Sequence, residues 1–183
     1  MGNIVPINSD CRIWSVTNLL STEQAEEIRA VDWLAMPWHR GHMQKTWPRR
    51  WIDNTHADIV KFKRYINHQL PAINQAMGTD YSIVHAEWWI DEPGFRVGIH
   101  TDGELLNSMQ MTWLDIGPAH GTAFYQDKRG EQLIWSAPGK VNTGYIMLNH
   151  RREDGSQPLL WHGMINPVPK GVHRLTCYCT FYK

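Results

Sequence analysis

The chain has 183 residues, enough for one domain with a substantial core and no need of cross-links. Its 18 Lys and Arg balance 18 Asp and Glu, so there is no global electrostatic pull toward nucleic acid or an anionic membrane. No apolar run approaches the ~20 residues of a membrane-spanning helix, and the opening MGNIVPINSDCRIW lacks the basic start and apolar run of a signal peptide.

The first part of the chain, residues 1–80, reads as a helical support region. In LLSTEQAEEIRAVDWL, Ser21 and Gln24 stand at capping-box spacing behind Leu19 and Leu20, which predicts a helix from Thr22 to Val31. The segment WHRGHMQKTWPRRW follows, with His39, Arg40, His42, Lys45, Arg49 and Arg50 among Trp38, Trp47 and Trp51. Basic residues interleaved with aromatics can contact nucleic acid or an acidic peptide, but such a loop is more often a solvated lid. Next, HADIVKFKRYINHQL carries Ile59, Phe62, Ile66 and Leu70 on one helical face. Pro71 ends that helix or starts a short one through Met77, and Gly78 stops it.

From Tyr81 the pattern changes to short apolar runs separated by Gly, Pro, Asn and Asp. YSIVHAEWWI, FRVGIH, LLNSMQMTWL, GTAFYQ, QLIWSA, GYIMLN, LLWHGMI and VHRLTCYCTFY all read as strands. Strands at this spacing predict a mainly β, α+β protein, a sandwich, jelly roll or barrel over residues 81–183 with helices packed outside an antiparallel double sheet. No internal repeat or linker divides residues 1–183, so a single domain is expected. In the last strand Cys177 and Cys179 are same-face neighbours, a poor geometry for a disulfide and a common core filling. A reducing, cytoplasmic setting is the simplest reading.

Three stretches put an imidazole two positions from a carboxylate: His56–Asp58, His85–Glu87 and His100–Asp102. The first lies at a helix start, where residues two apart point about 200° apart around the axis and cannot converge on one ion. Asp58 there is a favourable charge in the first helical turn. The other two pairs lie on strands, and each projects from one face. His100 and Asp102 are favoured because their strand runs out into DGE, leaving the side chains at a mouth, and Gly98 leaves space on the same face. For either pair a plain hydrogen-bonded surface contact is the more ordinary reading.

A second histidine would complete a two-imidazole, one-carboxylate set, which suits non-haem Fe(II) and leaves three positions open. His120, His150, His162 and His173 all lie downstream. His120 and His150 sit in loop-like stretches, whereas His162 is in PLLWHGMINPV and is followed twelve residues later by Arg174. A guanidinium placed near a metal can bind the remote carboxylate of a dicarboxylate in bidentate fashion, and Thr176 shares its face.

Through DEPGFRVGIHTD, GTAFY, GYIML and HGMINPVPKGVHRLT the sequence resembles the 2-oxoglutarate- and Fe(II)-dependent dioxygenases, in particular their compact prolyl-hydroxylase-like branch. The resemblance covers the chain from Glu87 to the C-terminus. It implies a double-stranded β-helix, cupin-like in build, with His100, Asp102 and His162 as iron ligands. It also implies Arg174, with Thr176, as the anchor for the distal carboxylate of 2-oxoglutarate. The branch usually carries a tyrosine upstream of the His-x-Asp pair, where this chain has WWIDEPGF, and its His-to-Arg spacing is shorter.

The implied cosubstrates are 2-oxoglutarate and O2, and the implied reaction couples decarboxylation to succinate with hydroxylation. The expected substrate is a protein or peptide side chain, or a small amino-acid-like molecule. The same chemistry on a nucleobase and a non-catalytic cupin-like binding module remain as alternatives. For substrate contacts, Arg96 shares the strand parity of Gly98 and His100, though it can equally be a solvated arginine at a strand start. Among ten tryptophans, most belong in the core, while Trp89, Trp113 or Trp161 can wall a pocket. Arg151 and Arg152 read as a charged turn.

Overall fold

The computed structural model describes residues 2–8, 12–40, 49–52, 54–102, 107–148 and 160–182. His42, Lys45, Trp47, His150, Arg151 and Arg152 lie outside the described residues. No helix among the described residues is long and apolar enough to cross a membrane.

The expected helices form. Helix α1 spans Thr22–Arg29, and its capping box closes with Gln24 N–H donating to Ser21 Oγ and Ser21 N–H donating to Gln24 Oε1, each at 3.2 Å. Helix α2, Ala57–His68, buries Ile59, Phe62 and Ile66. Helix α3, Leu70–Met77, has Pro71 in its first turn and ends on Gly78 at φ 65°, the left-handed conformation that glycine adopts without strain.

The first eighty residues also hold four strands that the hydrophobic pattern does not announce: β1 (Asn3–Asn8), β2 (Ile13–Thr17), β3 (His39–Arg40) and β4 (Arg49–Ile52). Two of these are too short to show alternation, and β1 carries Pro6 because it is an edge strand, where a missing N–H is tolerated. The later strands are β5 (Ile83–Asp91), β6 (Ser108–Thr112), β7 (Thr122–Tyr125), β8 (Leu133–Ser136), β9 (Thr143–Met147), β10 (Trp161–Met164) and β11 (Arg174–Tyr182). FRVGIH is not a strand. It follows the segment around Met164–Val168 through isolated bonds, Met164 N–H to Val97 O and Val168 N–H to Phe95 O. Pro167 and Pro169 on that facing segment have no N–H to give, so no continuous ladder forms.

The eight-stranded sheet has the order β1-β2-β9-β6-β11-β5-β4-β3, and a three-stranded sheet has the order β10-β7-β8. Every pairing in them is antiparallel. Strand parity sorts the large sheet into two faces. Trp88, Ile90, Met109, Met111, Ile146, Leu175, Cys177 and Cys179 point into the main core, where Phe62 of α2 meets the Trp88 ring at 5.6 Å. Cys177 and Cys179 are buried free thiols with their sulfurs 3.5 Å apart. The opposite face carries Glu87, Trp89, Gln110, Tyr145, Arg174 and Tyr178. A second cluster ties this face to the small sheet, with Phe124 of β7 edge-on to Tyr145 of β9 at 4.8 Å.

Candidate metal centre

His100 and His162 face each other on an isolated antiparallel bridge. His100 N–H donates to His162 O at 2.9 Å, and His162 N–H returns the bond to His100 O at 2.8 Å. Their rings stand 4.4 Å apart, centre to centre. Asp102 completes the group: one carboxylate oxygen lies 3.3 Å from His100 Nε2 and the other 3.6 Å from His162 Nε2. One ligand atom from each of the three lies within 4.8 Å of the others, and no other such group occurs among the described residues.

Each imidazole is oriented by a carbonyl. His100 Nδ1 meets Gly98 O at 2.9 Å and His162 Nδ1 meets Leu160 O at 3.0 Å. A carbonyl only accepts, so the proton of each neutral ring sits on Nδ1 and the Nε2 lone pairs turn toward Asp102. Asp102 also accepts from the Tyr178 hydroxyl at 3.2 Å. Pairing with Asp102 raises the His100 pKa against a smaller opposing effect of burial. Burial lowers that of His162, outweighing the pull of Asp102. For Asp102 burial pushes upward, but the bond from His100 and the charge of both histidines hold the carboxyl below its ordinary value. Two histidines and an ionised carboxylate are the donor set for Fe(II) and similar borderline divalent ions.

The group opens into a cleft of about 570 Å3 whose wall includes Arg49, Trp89, Gln110, Tyr145, Arg174 and Tyr178. Arg174 and Thr176 are both buried, and Arg174 Nη1 and Thr176 Oγ1 have no hydrogen-bond partner. Buried polar atoms left without partners are costly, and an anion taking up both donors removes that cost. A carboxylate therefore fits what these residues lack. Burial keeps Tyr145 and Tyr178 neutral, with their pKa values well above the ordinary phenol range.

Trp89 lines this cleft, and two other substrate expectations need correction. Trp113 is fully buried and stacked with Trp88 at 5.9 Å, because it shares the parity of Met109 and Met111 on the core face. Arg96 is exposed and outside the cleft lining, its Nε donating to Met164 O at 3.3 Å; the FRVGIH segment is not a strand, so strand parity does not place it. Trp161 lies outside the lining, with Lys128 Nζ 6.0 Å from its ring centre. His85 and Glu87 make a half-exposed contact of 3.5 Å, and His56 and Asp58 one of 3.9 Å at the start of α2. Within the basic, aromatic-rich segment, Arg49 pairs with Asp91 and Arg50 with Glu92.

Sequence reasoning passed over Tyr178, Gln110, Tyr145 and Asp91, and read Arg49 only as part of a basic, aromatic-rich loop, not as a wall of this cleft. Tyr178 was within reach, since it continues the Arg174, Thr176 parity along β11. Gln110, whose Oε1 accepts from Tyr145 at 2.8 Å and Thr122 at 3.3 Å, and Arg49 come from strands distant in sequence and carry no local signal.

No protein-family profile and no curated protein sequence matches the chain. Solved structures do match. A prolyl-4-hydroxylase from Pseudomonas putida has TM-score 0.63 at 13% identity, covering 96% of this chain and 94% of that one. HygX from Streptomyces hygroscopicus, with nickel and 2-oxoglutarate bound, gives 0.64 at 9% identity, covering 93% and 82%. The viral collagen prolyl hydroxylase from Paramecium Bursaria Chlorella virus-1 gives 0.59 at 12% identity, covering 94% and 96%. The chain has the fold of the 2-oxoglutarate- and Fe(II)-dependent oxygenases.

Proposed function

We propose that the protein is an Fe(II)- and 2-oxoglutarate-dependent dioxygenase that hydroxylates its substrate. One observation carries the reading: a two-histidine, one-carboxylate group shares its cleft with a buried arginine whose Nη1 lacks a partner. In this reading the two sheets are the walls of a double-stranded β-helix, residues 1–183 act as one unit, and His100, Asp102 and His162 hold the ion. The bound ion and 2-oxoglutarate supply the activation of O2. One oxygen atom ends in succinate with release of CO2, and the other in the hydroxylated product.

The chain itself binds and orients. Arg174 and Thr176 receive the distal carboxylate of 2-oxoglutarate, which selects a dicarboxylate over a simple 2-oxo acid. The carbonyls of Gly98 and Leu160 keep Nε2 of each histidine directed at the ion. Tyr178 holds one oxygen of Asp102. The substrate enters on the side of Trp89, and its class is a protein or peptide side chain or a small amino-acid-like molecule. A binding module with a structural ion is disfavoured, because such an ion has no use for a dicarboxylate anchor.

The test is Fe(II)-dependent conversion of 2-oxoglutarate to succinate by the wild type and by His100→Ala, Arg174→Ala and His85→Ala. The first two variants should lose turnover and the third keep it. A wild type that neither binds nor decarboxylates 2-oxoglutarate ends the proposal.

A further inference from the structure

Arg49, Asp91 and Arg174 stand in register on three adjacent strands, with Asp91 paired to Arg49 on one side and to Arg174 on the other. Asp91 is completely buried. Its carboxylate is unequally shared. Arg49 takes both oxygens, through Nε at 2.6 Å and Nη2 at 3.1 Å, while Arg174 Nε stands off at 3.6 Å. Two rings steady the Arg49 guanidinium, its Cζ lying 4.5 Å from the Phe95 centroid and 5.1 Å from that of Trp89. Two guanidiniums thus face one carboxylate, and the arginine left short is the buried one that lines the cleft.

We propose that Arg49 is a positioning residue for cosubstrate selection: by occupying Asp91 it keeps Arg174 unneutralised and ready for an incoming carboxylate. This rests on the dioxygenase reading and deepens it. With a dicarboxylate bound, the cluster reaches two positive and two negative charges, the balance that buried ions require. Without Arg49, Arg174 is the cation that remains beside Asp91 among the described residues, and the 3.6 Å gap closes to a hydrogen bond. The anchor is then satisfied internally and competes with the cosubstrate.

The experiment uses the full chain loaded with redox-inert Zn(II) and titrated calorimetrically with 2-oxoglutarate and with 2-oxopentanoate. The latter has the same chain length but no distal carboxylate. The ratio of the two affinities isolates that carboxylate, since both ligands would offer the metal the same 2-oxo acid group. Arg49→Gln should lower the ratio about tenfold, the size of one charge-assisted hydrogen bond. Adding Asp91→Asn to Arg49→Gln removes the competitor and should restore the ratio to within about threefold of wild type, a gain that independent packing defects do not produce. Arg49→Lys, which keeps a positive charge on Asp91 but not the two-point contact, should lose less than Arg49→Gln.

An unchanged ratio in Arg49→Gln, or no recovery in the double variant, overturns the proposal. If the double variant does not fold, Arg49→Lys decides: a loss equal to that of Arg49→Gln overturns it, and a smaller loss supports it. A wild type with no preference for 2-oxoglutarate removes both this proposal and the dioxygenase reading. A wild-type preference insensitive to Arg49 removes this one alone.

Discussion

Gly163 lies against Gly98 so closely that a Cβ on Gly163 would stand 2.8 Å from Gly98 O. That approach is what lets the neighbouring His162 share a bridge with His100, and so brings two imidazoles from distant parts of the chain to one point. Gly163→Ala should therefore push the segments apart at backbone atoms that cannot yield. Expected are a destabilisation of about 1–3 kcal/mol and at least a tenfold loss of metal affinity. Thermal unfolding and calorimetric titration with Zn(II) measure the two, and an unaltered metal affinity would show that the bridge does not set the ligand geometry.

Tyr178→Phe removes one hydrogen bond from Asp102 and keeps the ring. Metal affinity should fall by about 10-fold, at the lower end for loss of a partner to a ligand. Competition with a chromophoric chelator reads this directly. Unchanged affinity would mean that the Tyr178 hydroxyl does not help to hold the carboxylate.

Thr176→Val separates stability from binding. The Thr176 hydroxyl is buried with no partner, so the isosteric methyl should leave the ligand-free protein as stable or slightly more so. Affinity for 2-oxoglutarate should drop by about threefold to tenfold, the size of one neutral hydrogen bond. Destabilisation of more than about 1 kcal/mol in the ligand-free protein would reveal a partner for that hydroxyl within the fold.

The pH dependence of the metal-free protein has opposite signs on its two sides. The raised pKa of His100 contributes stability below the ordinary histidine value, lost as pH climbs through the folded value. His162 titrates lower when folded, so its neutral form is favoured and stability falls as pH drops below the ordinary value. The pair should give a stability maximum near pH ~6.5, the unperturbed histidine value. Proton NMR of the ring C–H signals should place the His100 midpoint above that value and the His162 midpoint below it. A reversed order would contradict the burial and pairing described for the two rings.

What the sequence made legible follows from how far each signal reaches. Ser21, Gln24, Pro71 and Gly78 act on their own helix ends and mark α1 and α3, while α2 shows in the helical spacing of Ile59, Phe62 and Ile66. The central strands showed as apolar runs because both faces of β9 and β11 are largely buried. His100, Asp102 and His162 stood out by type and spacing. Arg96 and Trp113 did not behave as read, since parity needs a correctly phased strand and a known buried face. The Arg49–Asp91–Arg174 row was out of reach, because it exists only once β4, β5 and β11 lie side by side. Nothing in one segment announces a cross-strand neighbour.

The two halves of the site differ in how they are held. Strand β11 pairs with β5 along its whole length and with β6 from Thr176 onward, so its amides from Thr176 to Tyr178 should exchange with solvent only when the sheet itself opens. His100 is tied to its neighbour by a single bridge, at the end of an irregular run that starts after Asp91. The arginine end of the cleft should thus exchange slowly, with the sheet, and the histidine–aspartate end should open more readily. An ion gripping all three ligands fastens the second end to the first, so metal should slow exchange at His100 far more than at Arg174.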